Sequence, residues 1–126
     1  MKQRFVRPDD ELTDETVIVV RGGELLREAL EVDASRTFKA YGVYAISVFA
    51  ADGVTVDQLA QTMPLVRFEL LTLMTVGAVR RAGLRLVPTG RQRLHHSIEF
   101  DELDSGLSLL IACEHRTQAN PYHRLG

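Results

Sequence analysis

Short β-branched apolar runs alternate along this chain with segments of helical period, and that alternation predicts an α+β fold. Thr16 to Val20 (TVIVV) is short and apolar enough for a strand buried on both faces. Arg21-Gly22-Gly23 closes it, and a helix is expected over Glu24 to about Val32 with Leu25, Leu26, Ala29 and Leu30 on one side. Asp33 is placed to cap a second helical piece, Ala34 to Tyr41, which Gly42 stops. Gly42 to Ala51 (GVYAISVFAA) predicts a second strand, and Asp52-Gly53 a turn. Thr55 and Gln58 form a capping-box pair for a short helix ending near Gln61.

Beyond Pro64, Val66, Phe68 and Leu70 alternate with Arg67, Glu69 and Leu71, which predicts a strand over Val66 to Val76. A short helix follows over Thr75 to Ala82, with Arg80 and Arg81 in its last turn and Gly83 as its stop. LRLVPT and HHSIEF flank Gly90-Arg91-Gln92-Arg93 and predict a β-hairpin. Asp101 is placed to cap a final helix carrying Leu103, Leu107, Leu110 and Ile111. The expectation is one α+β domain over residues 1–126, with about five strands in a mixed sheet, a C-terminal hairpin and four to five helices packed on it. Residues 1–14 read as a loose N-terminal segment and residues 114–126 as a C-terminal tail.

Composition narrows the class. The chain has 126 residues, 45% apolar and 25% charged, enough to bury a core without covalent staples. Its single cysteine excludes an intrachain disulfide. No run approaches the ~20 apolar residues that span a bilayer, and MKQRFVRPDDELTDE lacks the apolar stretch of a secretory signal. A soluble cytoplasmic protein with no membrane partner is therefore expected. The net charge of −2 argues against a general polyanion binder. Basic residues are nevertheless concentrated: residues 67–96 hold six basic side chains against one acidic, and both flanks are net acidic.

The densest chemistry lies in that stretch. Arg80 to His96 (RRAGLRLVPTGRQRLHH) carries five arginines and two adjacent histidines, with no carboxylate. Phosphate-loop, CxxC, HExxH and GxSxG motifs are all missing. Alternation along a strand puts His95, Ser97 and Glu99 on one face and His96, Ile98 and Phe100 on the other. With Ile98 and Phe100 inside, the first set projects as a polar row. A neutral histidine beside a carboxylate can take the proton of a ribose 2′-hydroxyl, and an arginine can stabilise the phosphorane that forms. On this reading His95, Glu99 and His96 are the catalytic candidates, and Arg91, Arg93, Arg81 and Arg85 the phosphate-binding ones. The protein is then expected to act on RNA or a phosphorylated nucleotide, as a metal-independent, toxin-like ribonuclease with no cofactor. The competing expectation is a noncatalytic interaction or regulatory module, homodimeric through strand addition or its last helix. Its basic hairpin would bind an acidic partner or nucleic acid.

Two further groupings stand out. Cys113, Glu114, His115, Asn120, Tyr122 and His123 follow the last helix, and folded back toward His95 and His96 they would offer enough donors for zinc. Their spacing matches no compact metal motif, and Cys113 continues the apolar side of the helix, so a buried, inert thiol is expected instead. Arg21 closing one strand and Ser47 within the next resemble, in outline, the Arg-Ser-Glu layout of the ADP-ribosyltransferases. In that family the Arg contacts NAD, a Ser-Thr-Ser segment shapes the pocket and a Glu does the catalytic work. The resemblance implies that Arg21 meets a dinucleotide and that Ser47 lines its pocket. It covers those two residues: Ile46 and Val48 replace the flanking pattern, and the Glu-x-Glu position falls on Glu99-Phe100-Asp101.

Overall fold

In the computed structural model, which describes residues 4–8 and 12–124, six strands form one sheet in the order β4-β5-β2-β1-β3-β6. In chain order the elements are β1 (Val17–Gly22), α1 (Arg27–Tyr41), β2 (Tyr44–Phe49), α2 (Val56–Ala60), β3 (Leu70–Thr75), α3 (Val76–Arg81), β4 (Arg85–Val87), β5 (His95–Phe100), α4 (Leu103–Ala112) and β6 (Arg116–Ala119), with a 3-10 turn at Leu65–Arg67 between α2 and β3. Every neighbouring pair is antiparallel. The α+β class is therefore as expected, but the sheet has one strand more than anticipated and is not mixed. Helix-length connections suggested parallel crossovers; instead the chain enters β2 at the end where β1 stops. The additional strand, β6, lies in the stretch read as a tail. Its sequence, RTQA, shows no apolar alternation because an edge strand paired only with β3 needs no buried face, and three of its four residues are exposed.

Helix α1 is continuous through Asp33, where a cap and a second helical piece were expected. Leu30 and Ala34 lie one turn apart and are both fully buried, so packing carries the helix across the weak point. Gly42 stops it at φ 79°, its N–H donating to the carbonyl of Phe38. The capping box of Thr55 and Gln58 forms as read. At α4 the N-cap is Glu102, not Asp101, and Asp101 instead accepts from Arg85.

Alternation divides the strand residues between two layers. On one face Ile18, Val20, Ile46, Val48, Ile98 and Phe100 are covered by Leu30 and Ala34 of α1, Val76 and Val79 of α3, and Leu107 and Leu110 of α4. Each fully buried leucine here contributes about 1.5–3 kcal/mol relative to exposure. Tyr44 is stacked between Phe38 and Phe100, at ring distances of 4.3 and 6.3 Å. On the other face Val19, Phe49, Leu71 and Leu73 are covered by Leu59 and Ala60 of α2 and by Leu65, with Val54, Val56, Leu94 and Tyr122 packed around them. That cover reaches β2 at Phe49, while Ser47, further along the same strand, is exposed. No helix among the described residues is long and apolar enough to cross a membrane.

The fit between α4 and the sheet yields a test. A Cβ on Gly106 would lie 2.2 Å from the Phe100 ring. Alanine is the better helix former by about 1 kcal/mol, so a loss of stability can come only from the clash. Gly106→Ala is expected to lose about 1–3 kcal/mol in equilibrium urea unfolding; a midpoint at or above that of the wild type would contradict this packing.

Candidate functional site

β1 and β2 are neighbours in the sheet yet are joined at a single residue pair, Val19 with Phe49. The cause lies on the other side of β1. Against β3, Val19 faces Leu73 and Arg21 faces Thr72, so β1 carries one extra residue between them. Such a bulge bends its strand and re-aims the side chains beyond it. Past Val19 the two strands part, with Arg21 on one lip of the opening and Ser47 on the other. Gly22 lets the Phe68 ring lie directly on the backbone, since a Cβ there would be 2.0 Å from the ring. Thr72 fixes the turn that follows by donating its hydroxyl to the carbonyl of Gly23 at 2.6 Å.

The resulting cleft has a volume of about 420 Å³, and Arg21, Ser47, Phe68 and His95 line it together with Asp33 and Arg36 of α1. Ser47 is exposed although β2 is an inner strand and its neighbours Ile46 and Val48 are buried. Arg21 donates from Nε to the carbonyl of Gly22 at 3.1 Å. Its Nη1 is shielded from solvent and has no hydrogen-bond partner. An unpaired, desolvated donor costs about 1–3 kcal/mol, and more on a charged group. An anion in the cleft would remove that cost.

A second chamber, of about 500 Å³, adjoins the first, with Thr37, Ser47 and His95 lining both. His95 is fixed at this junction. Its Nδ1–H donates to the carbonyl of Thr89 at 2.9 Å, which leaves Nε2 as the acceptor of the neutral ring. The Thr89 hydroxyl lies 3.1 Å from the same Nδ1 and 2.6 Å from the Ser97 hydroxyl, and the Phe49 ring meets the imidazole edge-on at 5.7 Å. Burial holds the His95 pKa below its ordinary value, helped by the positive charge of Arg7 and opposed by the bond to Thr89.

His95, Ser97 and Glu99 do share one face of β5, with His96 on the other, but the row is not an open one. Ser97 is 7% and Glu99 3% exposed. Glu99 forms an ion pair with Arg4 and has Arg85 at 3.9 Å. His96, 1% exposed and opposite Val48, does not enter the cleft. The candidate arginines are dispersed. Arg91 lies over the Phe5 ring beside the second chamber, Arg93 donates to the carbonyl of Asp52, Arg85 binds Asp101, and Arg81 ends α3.

Of the N-terminal segment expected to be loose, residues 1–3 and 9–11 lie outside the described residues, while Arg4 to Pro8 runs along the β4–β5 connection. The Arg7 guanidinium donates to four carbonyls there, those of Thr89, Gly90, Arg93 and His95, at 2.7–3.1 Å. Sequence reading missed Arg7 and, in the cleft, Phe68, Asp33 and Arg36. A polar stretch without apolar period reads as unstructured, yet one guanidinium can order a loop by satisfying its carbonyls.

The tail lies far from this site. β6 and β5 sit on opposite sides of β2, β1 and β3, so Cys113, His115 and His123 do not join His95 and His96. No group of three metal-ligating side chains occurs among the described residues. Cys113 is buried and bonded to the carbonyls of Leu109 and Ala78, and burial pushes its thiol pKa up. Asn120 donates to the carbonyls of Ala60 and Leu65, and Tyr122 to Asp57, which ties the tail to α2. No family model, curated protein or solved structure matches this chain.

The histidine makes stability depend on pH. A base whose folded pKa lies below its unfolded value of 6.5 binds its proton more readily when unfolded. The folded state is therefore favoured above that pH and loses ground as pH falls through 6.5 toward the folded value. His95→Gln keeps a donor for Thr89 and removes the titration. Melting temperature is expected to fall less steeply with acidification in this variant than in the wild type; parallel curves would contradict the assignment.

Proposed function

We propose that the cleft between β1 and β2 binds a phosphorylated nucleotide, and that this ligand is a pyridine dinucleotide serving as an ADP-ribosyl donor. The observation that carries the reading is the buried, unpartnered Nη1 of Arg21 on one lip of a cleft whose other lip is Ser47. The Arg-Ser-Glu layout requires these two residue types to face one pocket, and here they do. Arg21 supplies a preorganised donor to a phosphate oxygen, desolvated in advance. Ser47 offers a hydroxyl across the split. Asp33, on the α1 side of the cleft, is a carboxylate placed to meet a ribose hydroxyl or the positive charge that develops there.

The chain departs from that layout at the acid. Glu99 is covered by Arg4, Phe100 is in the core and Asp101 binds Arg85. Proton transfer therefore falls to Nε2 of His95, at the junction of the two chambers. The bond from the ribose anomeric carbon to nicotinamide breaks, nicotinamide departs with the electron pair, a nucleophile joins the carbon and its proton passes to His95. A ribonuclease on the β5 face has less support, because its second proton-transfer group, Glu99, is sealed under a cation.

Thermal unfolding with and without NAD, read beside release of nicotinamide, tests the proposal. The wild type is expected to be stabilised by NAD, and Arg21→Ala to lose that stabilisation while melting at or above the wild-type temperature without ligand. Absence of any NAD effect would overturn the reading, and metal-independent RNA cleavage abolished by His95→Ala would put the ribonuclease in its place.

A further inference from the structure

We propose that the second chamber is an acceptor site for a base of single-stranded nucleic acid, a reading that rests on the dinucleotide assignment only for the group transferred. The chamber opens into the cleft at Ser47 and His95, where the imidazole stands between the two volumes. Two aromatic rings on its wall, Phe5 and Tyr41, are 49% and 39% exposed, and the Arg91 guanidinium lies 4.9 Å from the centre of the Phe5 ring. Exposed rings beside a stacked guanidinium form a platform for planar heteroaromatic groups, and every base presents such a face.

Charge narrows the acceptor further. None of the described residues that line the chamber is a carboxylate, and the nearby Glu99 is paired with Arg4. An arginine or lysine side chain entering here would meet cations and no compensating acid. A nucleotide would meet Arg91 with its phosphate, and the exposed hydroxyl of Ser47 with its base edge. A ring nitrogen or amino group of the seated base would then be the nucleophile. It bonds to the anomeric carbon as nicotinamide leaves with its electron pair, and its proton goes to Nε2 of His95.

Binding can be measured without the donor. Fluorescein-labelled single strands of about 12 nucleotides, one DNA and one RNA, suit anisotropy titrations against wild type, Phe5→Ala and Arg91→Gln. The wild type is expected to bind, each variant about tenfold or more weakly, with the NAD-induced thermal shift kept in both. The tighter of the two strands identifies which nucleic acid the chamber prefers. Failure of the wild type to bind either strand, with the NAD shift intact, would overturn the acceptor inference alone. Unchanged affinity in both variants would also overturn it, by putting the strand elsewhere. Strand binding without any NAD shift would instead remove the dinucleotide reading and leave the chamber as a nucleic-acid site.

Discussion

Because β1 carries one residue more than β3 between Val19 and Arg21, its second half parts from β2, and the cleft between the two strands follows from that slip. A strand inside a sheet normally satisfies its backbone on both sides. Here β1 keeps its ladder to β3 and gives up most of its ladder to β2. The opening exposes a serine in an inner strand and leaves one guanidinium nitrogen of the half-buried Arg21 shielded from solvent without a partner. A regular pairing of Arg21 with Ser47 would close the sheet at the first chamber, which those two residues line.

The uneven cover of the two faces sustains the opening. Three helices fill one side, so the fold keeps its stability without a continuous ladder through the middle. On the other side the cluster around α2 and Leu65 takes in Phe49 at the end of β2 and leaves Ser47 exposed. The space it leaves is bounded by the Arg4–Pro8 segment, whose Arg7 orders the loop that in turn holds His95. Polar bonds, rather than apolar burial, therefore define the edge of the site. That is consistent with a surface meant to receive a polar ligand.

Elements with a strong local signature were legible in the sequence. The Thr55–Gln58 capping box, the glycine stop at Gly42, the short helix before Gly83 and the hairpin ending in HHSIEF all depend on neighbouring residues. The two-face reading of β5 also followed from its period. What escaped depended on distant contacts. A bulge is a mismatch between two strands, and nothing in TVIVVRGG alone announces it. β6 has no pattern because its edge position imposes none, and Glu99 looked available because Arg4 is distant from it in the chain. Of the candidate site residues, His95 and Arg91 meet at the second chamber. Arg21 and Ser47, singled out by a resemblance rather than by their local chemistry, line the first.

A crystal structure of the protein soaked with NAD tests the central claim most directly. The account predicts density for a pyrophosphate between β1 and β2, with an oxygen within hydrogen-bond distance of Arg21 Nη1 and the strands still joined only at Val19 and Phe49. Dinucleotide bound elsewhere, or β1 and β2 closed into a continuous ladder with Arg21 turned to solvent, would contradict it.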